Sequence, residues 1–128
     1  MFKKTVLENG LRIITVPETH TKAVTVMVLV GTGSKYENKE INGISHFLEH
    51  MFFKGTPRRP TKTDISEPFD RVGGIYNAFT GEDYTGYWAK VEKSHFDLAL
   101  DIISDMFLNS KLEEGEINCE RGVINEEI

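Results

Sequence analysis

The stretch Gly43–Thr56, "GISHFLEHMFFKGT", decides how the chain is read. On a helical wheel advancing 100° per residue, with His46 at the origin, His50 falls near about 40° and Glu49 near about −60°. Ile44, Phe47, Leu48 and Met51 gather between about 100° and 200°. One face therefore carries the apolar stripe of a helix that packs on a core, and the other carries two imidazoles and a carboxylate. Phe53 lies near the polar face, where it can wall a pocket. Asn42 precedes the periodic run and is the expected N-cap, Gly55 stands at the position of a C-terminal cap, and Pro57 follows as a stop.

Histidines one turn apart can aim ring nitrogens at one point, which is how a single helix supplies two zinc ligands. Glu49 is displaced sideways, better placed to receive a proton than to bind the ion. Zinc lowers the pKa of a bound water to about 7, and a neighbouring carboxylate can take its proton as the oxygen attacks a carbonyl. Two solvated surface histidines would carry the same letters, so the pattern needs a third ligand. His20 in a polar loop and His95 at a helix start read more simply as solvated residues. Cys119 is a soft ligand in principle, but lone cysteines are usually small hydrophobes. The remaining candidates are the carboxylates of "EEGEINCERGVINEEI" (113–128). On a helix, Glu120 and Glu127 lie within about 20° of each other, with Val123 and Ile124 on the same side. That pattern fits a half-buried acidic stripe and equally a solvated acidic helix.

The flanking sequence must supply the surface on which the apolar stripe rests. "TVLENGLRIITV" (5–16) reads as a hairpin turning at Asn9-Gly10. "AVTVMVLVGTG" (23–33) is apolar on both parities and is expected as a central strand buried on both faces. "TPRRPTKT" (56–63) is a basic connector, and "DISEPFDRV" (64–72) a short helix that Pro68 should start late, near Ser66, or kink. "IYNAFTGEDYTGYWAKVE" (75–92) reads as two strands joined near Gly81-Glu82-Asp83. "SHFDLALDIISDMFLNS" (94–110) is an amphipathic helix with Ser94 as cap and a stripe of Phe96, Ala99, Leu100, Ile103 and Phe107. The segment from Glu113 onward is an acidic helix. The expected class is α+β, a mostly antiparallel sheet with helices packed on one face.

Composition narrows the function classes. The chain has 128 residues, enough for one modest core, and a net charge of −5. No basic patch is expected for a nucleic-acid partner. The longest apolar run is far below the roughly 20 residues of a membrane span. The N-terminus turns polar too soon for a secretory signal, and the single Cys119 fits a reducing compartment, so the expectation is a cytoplasmic protein.

The segments "ENGLRIITVPE", "GTGSKYENKEINGISHFLEHMFFKGTPRRP", "RVGGIYNAFTGEDYTGYWAKV" and "ERGVINEEI", taken in order, resemble the inverted-zincin (HxxEH) metallopeptidases of the pitrilysin, insulysin and mitochondrial-processing-peptidase group, in its bacterial processing-protease branch. The resemblance implies Zn²⁺ held by His46, His50 and Glu127, with Glu49 as catalytic base and Glu120 in support of the metal site. It implies that Asn77 and Ala78 lie on a strand edge along which substrate backbone runs, and Phe53 completes the substrate-binding set. Family members are built from paired homologous halves, each longer than this sequence. The expectation is thus a truncated half-domain, the N-terminal zinc-carrying part of an endopeptidase for peptides or unfolded polypeptides. A C-terminal half or partner subunit would be missing. Alone, it should be inactive, should hold zinc weakly because Glu127 stands beside a fraying end, and should self-associate through exposed apolar surface. The alternative is a non-catalytic substrate-binding or structural subunit of a two-subunit complex. Such subunits generally lose part of the HxxEH set, which is whole here. Two departures stand out: Pro68 replaces a helix former, and Asn125 replaces an aliphatic residue on the helix that carries Glu127.

Overall fold

The computed structural model describes residues 1–127. Strands β1 (Lys3–Val6) and β2 (Arg12–Thr15) form the expected hairpin, turned at Gly10 with φ +90°, and make a two-stranded sheet of their own. Strands β3 (Ala23–Val30), β4 (Ile75–Thr80) and β5 (Thr85–Glu92) form a second antiparallel sheet in the order β3-β5-β4. Helices α1 (Ile44–Met51), α2 (Lys62–Arg71), α3 (Phe96–Asn109) and α4 (Glu114–Glu127) complete the chain. Among the described residues no helix is long and apolar enough to cross a membrane.

The sheet explains where the helices go. Side chains alternate across a strand, so Tyr87, Ala89 and Val91 of β5 share a face with Val24, Val26 and Val28 of β3 and Tyr76 of β4. Ile65 and Phe69 of α2 and Ala99, Ile102, Ile103 and Met106 of α3 cover that face as one core. α1 rests on its margin, where Phe52 meets Tyr87 with ring centroids 5.2 Å apart. The α+β expectation, helices on one face of an antiparallel sheet, is therefore met.

Several local expectations are corrected. β3 is an edge strand of its sheet, with Met27 and Leu29 about half exposed on the far face, and β5 is the central one. Apolar letters on both parities misled because one of the two faces remains uncovered. α2 begins at Lys62 rather than Ser66. Thr61 and Asp64 form a reciprocal capping box, and that start is strong enough for the helix to run through Pro68. α3 starts at Phe96 without Ser94 as its cap, and its buried side turns toward Ile102 and Met106, leaving Phe96 and Leu100 exposed. The reason is Asp105, 2% exposed, which joins that side to accept from Thr56 Oγ1 at 2.7 Å, Arg59 at 2.7 Å and Asn109 at 3.0 Å. The basic connector is thereby a clamp that fastens the end of α1 to α3. Gly55, at φ +135°, allows the bend, since a Cβ there would stand 2.4 Å from the Pro60 carbonyl oxygen.

α1 is not capped by Asn42. Its cap is Gly43, at φ +86°, and the free N–H groups of Gly43 and Ser45 donate to the Glu37 carboxylate at 2.8 and 2.9 Å. Burial pushes the Glu37 carboxyl up, and the donors from Ser45 and Gly43 outweigh it, holding the group below its ordinary value of 4.5. Glu37→Ala should cost about 1–2 kcal/mol in denaturant unfolding at neutral pH. A folded pKa below the unfolded one gives stability that is complete above the unfolded value and lost as pH falls. The difference between variant and wild type should therefore shrink below about pH 4.5.

Candidate metal centre

α1 presents His46 and His50 on one side because they are four residues apart in a regular helix. Their Nε2 atoms stand 3.1 Å apart, with the rings nearly perpendicular at 88°. α4 packs against α1 and brings Glu127 Oε2 to 3.2 Å from His46 Nε2 and 3.8 Å from His50 Nε2. Among the described residues these are the three that gather ligand atoms within 4.8 Å of one another. The helical wheel thus placed the histidines correctly, and Glu127 joins them.

Glu120 lies one layer behind. It is 6% exposed, and its Oε2 meets His50 Nδ1 at 2.9 Å while Lys54 Nζ donates to its Oε1 at 2.5 Å. Burial pushes the Glu120 carboxyl up, and the bonds from Lys54 and His50 outweigh that, holding it below the usual carboxylate range. A carboxylate facing Nδ1 fixes the proton there and leaves the Nε2 lone pair of His50 free.

Those lone pairs test whether zinc fits. His50 Nε2, His46 Nε2 and Glu127 Oε2 are three atoms able to ligate a metal, gathered around one point. Four ligands in a tetrahedron around zinc stand about 3.3–3.6 Å apart for bonds of about 2.0–2.2 Å. The observed edges of 3.1, 3.2 and 3.8 Å lie within about 0.2 Å of that frame. Two nitrogens and one carboxylate oxygen are the donor set of a catalytic zinc site with a position left open.

Glu49 is not in the ligand triangle. Its Oε2 accepts from the Thr80 hydroxyl at the end of β4. Tyr87 lies behind it, its phenol pushed well above the ordinary value by burial and by the Glu49 charge. An open cleft runs from this point, lined by Glu49, His50, Phe53, Tyr76, Asn77 and Glu120. Phe53 stands against Tyr76 at 5.7 Å. β4 is the other edge of the sheet, and the Ala78 N–H there donates to the Asn77 side-chain oxygen at 2.8 Å. Three residues weighed as ligands lie outside the cluster. His20 pairs with Glu18 at 2.9 Å on the surface, His95 precedes α3, and Cys119 is exposed.

A family model described as "Insulinase (Peptidase family M16)" matches residues 12–128. The chain belongs to the insulinase family of peptidases. Its relatives in that family include a Bacillus subtilis protein named as an uncharacterized zinc protease, YmxG, 48% identical over 128 residues, the whole of this chain and 31% of the relative. The beta subunit of the mitochondrial-processing peptidase of Dictyostelium discoideum is 44% identical over 122 residues, 95% of this chain and 26% of the subunit. A crystal structure of a protease from Helicobacter pylori superposes with a TM-score of 0.92 at 33% identity, covering 99% of this chain and 30% of that one. The chain thus spans less than a third of the length of these insulinase-family relatives.

Two residues of the site, and the carboxylate that caps α1, escaped the sequence reading. Lys54 had a signal, since on a helix continued past Met51 it would stand one turn beyond His50. Thr80 also had one, because it shares strand parity with Tyr76 and Ala78. Glu37 had none, since a loop residue that caps a helix several positions later leaves no periodic trace.

Proposed function

We propose that the intact protein is a zinc-dependent endopeptidase acting on peptides or unfolded polypeptides, with His46, His50 and Glu127 as the ligands and Glu49 as the base. The observation that carries this reading is the meeting of three potential ligand atoms from α1 and α4 beside a carboxylate that lines an open cleft. The zinc-protease names of relatives support it. When bound, zinc supplies positive charge that acidifies water and stabilises an oxyanion. Glu49 accepts a proton from the attacking water as the water oxygen bonds to the scissile carbonyl carbon. The same carboxyl then hands that proton to the amine nitrogen as the C–N bond breaks. Glu120 and Lys54 keep His50 oriented. The free edge of β4, at Asn77 and Ala78, binds an extended peptide through main-chain hydrogen bonds, and Phe53 walls the cleft beside it.

These 128 residues are, in this reading, the N-terminal zinc-carrying domain, completed by a second homologous half or by a partner subunit. Support comes from the short span relative to the family and from apolar side chains left exposed, such as Ile14 at 60% and Leu29 at 58%. The 128-residue polypeptide by itself is then inactive, holds zinc weakly and self-associates. A fluorogenic peptide library tests the reading on the intact protein. Cleavage should vanish with a chelator and return with zinc, whereas cleavage that persists in chelator contradicts it. Robust cleavage by the short polypeptide alone would contradict the second claim.

A further inference from the structure

We propose that Thr80 is a positioning residue for Glu49, fixing one oxygen of the base so that the other faces the cleft. The kinetic side of this inference rests on the peptidase reading above. Thr80 is the last residue of β4, paired with Thr85 across the hairpin, and its side chain shares the inward parity of Tyr76 and Ala78. Its Oγ1 donates to Glu49 Oε2. A hydroxyl has one proton to give. With that proton committed to Oε2, the carboxylate is held at one oxygen, and Oε1 is the oxygen left for the water.

The frame behind Thr80 is stiff. The turn that follows closes through Gly81 N–H to the Tyr84 carbonyl at 2.9 Å. The Ser34 and Lys35 N–H groups then grip the Gly81 and Glu82 carbonyls, both at 3.1 Å. Gly33 fits so closely that a Cβ there would stand 2.3 Å from the Gly81 oxygen. The same loop carries Glu37, which holds the start of α1. One loop therefore ties the strand bearing Thr80 to the helix bearing Glu49. A flexible Glu side chain fixed from such a frame has less freedom to leave its reactive orientation.

The test uses the intact protein with Thr80→Val, which keeps the shape and removes the hydroxyl, and Thr80→Ser, which restores it. Thr80→Val should lower kcat about 10–100-fold, with KM and zinc affinity within about twofold of wild type. Thr80→Ser should stay within about threefold of wild type in kcat. Unchanged kcat in the valine variant, an equal loss in the serine variant, or a loss that follows zinc affinity would each overturn the proposal. A second arm needs no activity. In the metal-free intact protein, the denaturation midpoints of Glu49→Ala, Thr80→Val and the double variant form a cycle. The double variant should lose less than the sum of the singles, because neither partner is left unpaired. Additive losses would overturn the contact. If the wild type cleaves no peptide, the peptidase reading fails and the cycle still decides on Thr80.

Discussion

Glu49→Gln in the intact protein should lower kcat for peptide cleavage by about 10²–10⁴-fold while zinc stays bound at wild-type affinity. The substitution preserves size and leaves an amide oxygen that still accepts from the Thr80 hydroxyl. It removes only the ability to take up a proton. Glu49 lies outside the ligand triangle, so the ion has no reason to leave. Steady-state kinetics together with metal analysis checks both halves. Cleavage that survives the change would mean that Glu49 is not the base. A variant that loses zinc would mean that the carboxylate is a ligand.

The second large effect is expected at Glu127. Glu127→Gln should weaken zinc binding by more than about a hundredfold in chelator competition, since loss of an outer partner alone typically costs about 10–100-fold. Glu127 Oε2 stands 3.2 Å from His46 Nε2, and its side chain is 46% exposed. It therefore sits on the rim of the site, whereas Ile124 and Glu120 of the same helix are buried. The metal-free variant should keep its folding midpoint within about 2 °C of wild type, as an exposed substitution does. An intact fold with lost zinc affinity identifies a ligand. Loss of both would assign Glu127 a role in packing instead.

How much of this was legible in the letters depended on range. The metal helix was readable because a period of 3.6 residues converts spacing directly into direction, and the His46–His50 convergence followed. The β4–β5 hairpin and the acidic helix were readable for the same local reason. β3 was misplaced because its letters record that both faces are apolar, and whether a face is covered depends on chain far away in sequence. The side of α3 that is buried was misjudged because a charged residue, Asp105, joins it, and only the fold brings Arg59 and Thr56 to neutralise and satisfy it. The cap of α1 was missed because Glu37 reaches it through a folded loop.

The candidate site divides along the same line. His46, Glu49 and His50 lie within five residues on one element. Glu127 and Glu120 could be shown only to share a helix side, and the family resemblance supplied their link to the histidines. Docking of α4 on α1 is a tertiary contact, and it is what brings Glu120 to 2.9 Å from His50 Nδ1. Thr80 reaches Glu49 across another such contact, between β4 and α1.

The most direct measurement is a crystal structure of the zinc-loaded intact protein with anomalous diffraction collected across the zinc absorption edge. A single strong zinc peak bound by the Nε2 atoms of His46 and His50 and by a Glu127 oxygen, with Glu49 beside it and unbound, is the predicted result. A zinc peak elsewhere, or imidazoles turned away from each other with no peak between them, would contradict the account.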